Sequence, residues 1–238
     1  MSSDWHDPET ARRWDRTATE HNPVRAEQLE ILAAVLGKLW TPGDWLLDLG
    51  YGSGQVEELL FERIPAACAV GVDSSEAMMA LARDRLAAHG SRFAAVRHDL
   101  AALGGLRLPP RPYRFAIAVQ SLHHLEPAEM REAYGWLARQ LQPGGLFLLL
   151  DRVRVENRAV WPAMRAVWER LDVVHGSGVA AHEGADLAAH EAAARERGDR
   201  PVLLDEHLAW LRSAGFDPAC LHLHGNRALV AGVVSGTA

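Results

Sequence analysis

A run of alternating glycines beside an acidic residue carries the clearest chemical signal in the sequence. The segment LLDLGYGSGQ contains, in order, Asp48, Gly50, Gly52 and Gly54. Glycine lacks a Cβ atom, so such a loop can take strained dihedral angles and bring backbone amides close to a ligand at a helix N-terminus. The dinucleotide pattern G-x-G-x-x-G needs its third glycine where Gln55 stands. The loop therefore predicts a ligand site that differs from that of nicotinamide-dependent oxidoreductases.

A second acidic residue, Asp73, ends the next apolar run and follows Gly54 by 19 residues. A carboxylate at this distance suits hydrogen bonds from both hydroxyls of a ribose. Together with the glycine loop, it predicts a nucleoside site at the carboxyl ends of two adjacent strands. The alternative is a tight strand-to-helix turn in which the carboxylate of Asp73 is only solvated.

Two adjacent histidines are the candidate catalytic residues. His123 and His124 directly follow the fourth predicted strand, at the cleft where the strand order of such a sheet reverses. An imidazole titrates near neutral pH and can act as a general base, which is the function we expect of one of them. A structural role in the loop after the strand is the alternative.

A second group of histidines is interpreted differently. His182, Asp186 and His190 are four apart and would line one face of a helix, where they could bind a divalent metal ion. Gly184 interrupts that helix, and a solvated face of mixed charge is the favoured interpretation. No metal site is therefore predicted.

Apolar runs alternate with helical stretches over most of the chain. The predicted strands are Trp45–Leu49, Ala67–Val72, Phe93–Val96, Arg114–Val119 and Leu146–Leu150. The predicted helices that separate or follow them are Gln55–Arg63, a segment from Ser74 or Ser75 to Gly90, Pro127–Leu141 and Leu203–Ala214. Two last runs, Ala219–His224 and Ala228–Val234, flank a Gly-Asn turn and predict an antiparallel hairpin. The pattern predicts an α/β fold with a mostly parallel sheet.

The predicted organisation has four parts. Residues 1–40 form an N-terminal helical cap, residues 41–151 the ligand-binding core, residues 152–202 a helical insertion, and residues 203–238 the remainder of the core. Arg25, in the N-terminal cap, is a candidate partner for a ligand carboxylate, with an exposed helix arginine as the alternative.

The motifs DLGYGSG, GVDSSEAMMALA, RHDL, SLHHL and LQPGG, between residues 45 and 150, resemble the successive motifs of the Rossmann-like (class I) S-adenosylmethionine-dependent methyltransferases. The resemblance implies a seven-stranded sheet that ends in an antiparallel hairpin, with S-adenosylmethionine as the cofactor. It also implies the residues that bind the cofactor. Asp48 and the three glycines would shape the methionine pocket, Asp73 with Ser74 would hold the ribose, Asp99 with Leu100 the adenine, and Gln120 would lie under the sulfonium.

Two positions depart from the pattern of that family. Tyr51 stands where a small residue or a cysteine is common, which predicts an altered methionine pocket. Gln120 replaces the acidic residue often found after the fourth strand, which argues against a base at that position.

The composition limits the partners. With 25 Lys and Arg against 31 Asp and Glu, the net charge of -6 does not suit nucleic-acid binding. No apolar run approaches the roughly 20 residues of a membrane span, and two cysteines indicate a reducing compartment. We expect a cytoplasmic monomer or homodimer with neither a membrane nor a nucleic acid as partner.

The predicted function is methyl transfer from S-adenosylmethionine to a small molecule by in-line displacement, with the cap and the insertion around the acceptor. Two alternatives retain the same cofactor. One is the synthesis of a modified sulfonium for transfer RNA wobble modification, and the other is a protein that binds the cofactor without turnover.

Overall fold

A seven-stranded sheet forms the centre of the molecule, in a computed structural model that describes residues 5–20 and 22–235. Its strands are β1 (Trp45–Leu49), β2 (Ala69–Asp73), β3 (Phe93–Arg97), β4 (Tyr113–Val119), β5 (Leu146–Arg152), β6 (Phe216–His224) and β7 (Arg227–Val234). Their order across the sheet is β3-β2-β1-β4-β5-β7-β6. The first five strands are parallel, and β7 pairs antiparallel with both β5 and β6. The predicted α/β fold with a closing hairpin is confirmed.

Helices cover both faces of the sheet. They are α1 (Pro8–Thr17), α2 (Arg25–Leu39), α3 (Gln55–Arg63), α4 (Glu76–Arg85), α5 (Pro127–Gln140), α6 (Trp161–His175), α7 (Val179–His182), α8 (Leu187–Arg197) and α9 (Leu204–Ser213). Short 3-10 turns lie at Ala87–Arg92, Leu100–Gly105 and Leu122–His124. None of the helices within the described ranges is long and apolar enough to cross a membrane.

The central strands are apolar on both sides because each side faces a separate core. Leu47 of β1 packs into a cluster that includes Tyr134 of α5, whereas its neighbour Leu46 packs into a cluster with Leu32 of α2. All three leucines are essentially inaccessible to solvent. This double burial explains the near-continuous apolar runs in the sequence.

The insertion differs from its prediction in two respects, the first being that His190 is buried and does not belong to a solvated face. His182, Asp186 and His190 do not share a helix face, because His182 ends α7 and Asp186 is the N-cap of α8. Gly184, with φ of 97°, lies between the two helices and separates them.

The helix predicted to run to Gly90 ends early, at Arg85, with Ser75 as its N-cap. The predicted ranges 1–40 and 203–238 both extend beyond the residues that the structure describes.

A buried carboxylate fastens the insertion to the sheet. Glu183 follows α7, is inaccessible to solvent, and accepts hydrogen bonds from Arg227 Nη2 at 2.8 Å and Arg152 Nη1 at 3.2 Å. Asn226 Nδ2 lies 3.4 Å from its second oxygen, and His190 Nδ1 lies 3.3 Å from that same oxygen. Burial alone would raise the pKa of Glu183, but His190 and the two arginines lower it well below its usual range. The ionised Glu183 thus connects the insertion to β5 and β7.

Replacing this carboxylate should destabilise the fold. In Glu183→Gln two arginines lose their buried counter-charge, so the free energy of unfolding should fall by roughly 3–5 kcal/mol in urea denaturation. Glu191→Gln, on the half-exposed side of α8, is the matched control and should change it by less than about 0.5 kcal/mol. Equal stability of the two variants would contradict this role of Glu183.

Candidate functional site

A cavity lies at the carboxyl ends of the parallel strands, where β1 and β4 part because the strand order reverses between them. Its volume is about 440 Å³, which is in the range of small-molecule sites. The lining comes from the strand ends, the glycine loop, α1 and the insertion. Among the predicted site residues, those that line it are Asp48, Gly50, Gly52, Asp73, Ser74, Asp99, Leu100, Gln120, His123 and His124.

The glycine loop is positioned by its contact with the turn after β4. Gly50 has a φ of 82°, and a Cβ atom there would lie 2.4 Å from the Cβ of Ser121. Ser121 in turn donates a hydrogen bond from Oγ to the carbonyl of Leu49, at 2.6 Å. Gly54 does not line the cavity; it is the left-handed N-cap of α3 and packs against Leu86. Gly50 therefore lets the loop pack closely at the cavity wall, whereas Gly54 begins helix α3.

Asp73 is oriented by backbone amides. Its Oδ2 accepts a hydrogen bond from Gly52 N at 2.9 Å, and its Oδ1 accepts one from Ser75 N at 2.8 Å. Burial raises the pKa of Asp73, and these amides oppose the shift. The carboxylate is thus fixed at the cavity wall beside the loop, as the ribose assignment requires.

Asp99 and Gln120 lie at two other parts of the cavity wall. Asp99 is exposed at the rim, where Oδ1 accepts a hydrogen bond from Ala101 N at 3.0 Å and Leu100 lies beside it. Gln120 has a φ of 56°, and its buried Nε2 has no acceptor among residues 5–20 and 22–235. A buried donor without a partner is costly, so this amide is available to a ligand.

Tyr51 fits the loop because of a glycine on the neighbouring strand. The ring is buried and lies where a Cβ of Gly71 would come within 2.6 Å of it. It also packs edge-on against Phe93, with 5.2 Å between the ring centroids. The larger side chain therefore occupies space over β2, although it also contributes to the cavity wall.

An acidic pair lies under the glycine loop. Asp48 and Glu57 are buried, and their carboxyl groups contact each other. Burial raises the pKa of both groups, that of Glu57 to about 7, and the negative charge of Glu57 raises the pKa of Asp48 further. The pair therefore holds a shared proton near neutral pH.

The two predicted histidines lie in a chain of charged partners. Asp151, at the end of β5, accepts hydrogen bonds from the Nδ1 and, at 3.0 Å, the backbone N of His123. On the other side, Asp199 Oδ1 lies 3.5 Å from His123 Nε2 and 3.6 Å from His124 Nδ1. Burial alone would lower the pKa of His123, but Asp151 and Asp199 raise it. Burial lowers the pKa of His124 to about 4, and the charge of His123 adds to this shift.

Arginines line the same cavity. Arg197 Nε donates to Asp199 Oδ2 at 3.0 Å, but its buried Nη2 has no acceptor among the residues described. Arg152 Nε lies 3.8 Å from the same oxygen. Arg25 is buried, with its guanidinium 5.7 Å from the ring of Trp14, and burial lowers its pKa to about 10. Arg152 and Arg197, which share Asp199 as a partner, form what we call the cationic wall of the cavity.

Helix α1 packs against the glycine loop and α4 through Asp15. Asp15 accepts hydrogen bonds from Ser53 Oγ at 2.5 Å and Gln55 Nε2 at 2.7 Å, and it pairs with Arg85 at 3.0 Å. The ring of Trp5 lies 5.6 Å from that of His124, between ring centroids.

Several of these groups were not predicted from the sequence: Asp15, Glu57, Asp151, Glu183, Arg197 and Asp199. Asp151 carried a usable signal, since it ends a buried apolar strand just as Asp48 and Asp73 do. The others lie in helices or irregular segments, and their partners are distant in the sequence.

The sheet order 3-2-1-4-5-7-6, with a glycine loop after β1 and a carboxylate after β2, defines the S-adenosylmethionine-dependent methyltransferase fold. A family model described as "Methyltransferase domain" matches residues 46–145. Carboxy-S-adenosyl-L-methionine synthase of Pseudomonas putida is 30% identical over 198 residues, which are 82% of this chain and 76% of that protein. The chain belongs to the class I S-adenosylmethionine-dependent methyltransferase family, and S-adenosylmethionine is its cofactor.

Two further similarities are more limited, the first in length and the second in sequence identity. Trans-aconitate 2-methyltransferase of Variovorax paradoxus is 56% identical over 41 residues, which are 17% of this chain and 16% of that protein. The structure of an O-methyltransferase family protein from Burkholderia thailandensis superposes with a TM-score of 0.68 at 19% identity. It covers 98% of this chain but only 62% of its own, so this likeness concerns the fold.

The acidic pair predicts a dependence of stability on pH. Between pH 5 and about 7 the folded chain holds a proton on Glu57, whereas a glutamate in the unfolded chain, with a pKa of 4.5, has released it. The contribution of Glu57 to the free energy of unfolding therefore falls as the pH rises through this range. Glu57→Gln removes this loss. The melting temperature of the variant minus that of the wild type should therefore be higher at pH 8 than at pH 5, by about 2–4 °C for each kcal/mol gained. The control Glu62→Gln, exposed on the same helix, should show no such trend. A pH-independent difference for Glu57→Gln would contradict the shared proton.

Proposed function

We propose that this enzyme transfers the carboxyl group of a small carboxylate donor to the methyl carbon of S-adenosylmethionine, which makes a carboxylated sulfonium nucleoside. The bond between the carboxyl carbon and the rest of the donor breaks, a bond from that carbon to the methyl carbon forms, and the displaced methyl proton passes to the donor carbon. The observation that carries the proposal is the cationic wall of the cavity, where Arg197 presents a buried nitrogen without a partner among the described residues and Arg152 lies beside it. Similarity to carboxy-S-adenosyl-L-methionine synthase extends over 82% of the chain, far beyond the cofactor motifs, and supports the same assignment.

The residues around the nucleoside side fit the cofactor. We assign the methionine part to Asp48, Gly50 and Gly52 with Gly54 behind them, the ribose to Asp73 and Ser74, the adenine to Asp99 and Leu100, and the region under the sulfonium to Gln120. When bound, S-adenosylmethionine supplies a methyl carbon that the adjacent positive sulfur activates. Arg25 is buried close to Asp15, the residue of α1 that contacts the glycine loop. We propose that its guanidinium binds the carboxylate of the cofactor.

The second substrate is assigned to the opposite wall. A guanidinium fork binds a carboxylate through two parallel hydrogen bonds, and in a buried site such bonds are among the strongest. Arg197 already uses Nε for Asp199, which orients its remaining nitrogens. We propose that an anion on these nitrogens lies beside His123 and His124, the residues proposed for proton transfer.

The helical parts enclose this pair of substrates. Trp5 and Trp14 from the N-terminal cap and His182 from the insertion line the cavity. We propose that they exclude water, which strengthens each charged contact inside the cavity.

Methyl transfer to a carboxylate is the second candidate function. It uses the same anion site, and the short similarity to trans-aconitate 2-methyltransferase favours it. An ionised carboxylate needs no base, so positioning near the methyl carbon would be sufficient for catalysis.

The nucleoside released from the purified enzyme distinguishes the two functions. We expect mass spectrometry of the denatured protein to detect a nucleoside heavier than S-adenosylmethionine by one carboxyl group in place of a hydrogen. If incubation with S-adenosylmethionine and trans-aconitate instead yields S-adenosylhomocysteine and a methyl ester, the second candidate is correct. If neither product forms, with this acceptor or with other di- and tricarboxylates, the proposal is wrong.

Arg197→Met tests the anion site with the substrate so identified. Loss of a charged hydrogen bond of about 1.5–3 kcal/mol should raise the KM for the carboxylate roughly 10- to 100-fold and leave the Kd for S-adenosylmethionine unchanged. Arg195→Met is the control, since this arginine is 70% exposed on the same turn of α8. An unchanged KM for Arg197→Met would place the anion elsewhere.

A further inference from the structure

Two imidazoles and a carboxylate converge at the inner wall of the cavity, and we propose that they form a binding site for a divalent transition-metal ion. The three residues are His123, His124 and Asp199, each of which offers one ligand atom within 4.8 Å of the other two. This site goes beyond the proposed function, which requires no metal ion.

The distances suit direct coordination. Asp199 Oδ1 lies 3.5 Å from His123 Nε2 and 3.6 Å from His124 Nδ1. A tetrahedral ion with bonds of about 2.0–2.1 Å separates its ligand atoms by about 3.4 Å. The third separation, between the ligand atoms of the two histidines, is at most 4.8 Å, so an ion placed here would draw the two rings together by no more than about 1.4 Å.

A second carboxylate supports one of the ligands. Asp151 accepts the hydrogen bond of His123 Nδ1 and that of the His123 backbone N, which fixes the ring and directs Nε2 toward Asp199. A carboxylate that holds the far nitrogen of a histidine is the usual second shell of a zinc site. This contact is independent of the distances among the three ligands, and it indicates the same site.

The two oxygens of Asp199 have separate partners. Oδ2 accepts from Arg197 and lies near Arg152, whereas Oδ1 faces the two histidines. The arginines therefore hold the carboxylate in place without occupying the ligand atom.

Three protein ligands leave at least one coordination position open, which is typical of catalytic rather than structural metal sites. All three residues line the cavity, so the open position faces the proposed second substrate. Two imidazoles and one carboxylate suit Zn²⁺, Co²⁺, Ni²⁺ or Fe²⁺ better than Mg²⁺ or Ca²⁺. Within residues 5–20 and 22–235, no other group of three such side chains is close enough together.

The test uses the full chain without a histidine tag, with Zn²⁺ and Co²⁺ as probes. We expect one equivalent of Zn²⁺ to remain after dialysis, and Co²⁺ to give the intense visible absorption of a four-coordinate site. His124→Ala, whose side chain is 28% exposed, should keep the fold and weaken binding at least about 100-fold, and Asp151→Asn about 10- to 100-fold.

The matched control is the double variant His222→Ala/His224→Ala, which removes the histidine pair on β6. It should bind both ions as the wild type does. The proposal is overturned if the wild type retains no ion, or if binding persists in His124→Ala and disappears in the control. Because binding is measured without turnover, failure of the metal site and failure of the proposed function are separate results.

Discussion

The structure depends on the need to compensate charges that are buried at the carboxyl ends of a parallel sheet. Burial opposes the charged form of Asp48, Asp73, His123 and Asp199, and each of them meets an amide, a proton or an opposite charge at that edge. The strand order makes this unavoidable, because β1 and β4 diverge there and open a crevice. The same compensation fastens α1 through Asp15 and the insertion through Glu183.

The two parts of the proposed site differ in charge. Asp48, Asp73 and backbone amides line the part proposed for the nucleoside, together with Arg25, whereas Arg152 and Arg197 form the cationic wall on Asp199. A positively charged sulfonium and a negatively charged carboxylate would each meet a complementary surface. This polarity connects the family assignment, which concerns the first side, with the proposed substrate, which concerns the second. A metal ion on His123, His124 and Asp199 would add to the positive charge of that second side.

Local patterns were sufficient to predict most of the elements and the fold class. The strand Trp45–Leu49 and the helix Gln55–Arg63 have the predicted bounds, because apolar runs and glycine turns are encoded by neighbouring residues. The partners of His123 could not be predicted in this way. Asp151 and Asp199 lie 28 and 76 residues further along the chain, and only the folded sheet and insertion bring them to it. The sequence indicated the interruption at Gly184, but it did not predict that Asp186 would be the N-cap of a new helix.

The central claim is that a nucleoside binds where β1 and β2 end, on the carboxylate of Asp73. Calorimetric titration of S-adenosylmethionine into wild type, Asp73→Ala and the exposed control Asp84→Ala tests it directly. The account predicts tight binding to wild type and control, and a Kd about 10- to 100-fold higher for Asp73→Ala, whose charged hydrogen bonds to the ribose are lost. Equal affinity of all three proteins, or no binding to the wild type, would contradict it.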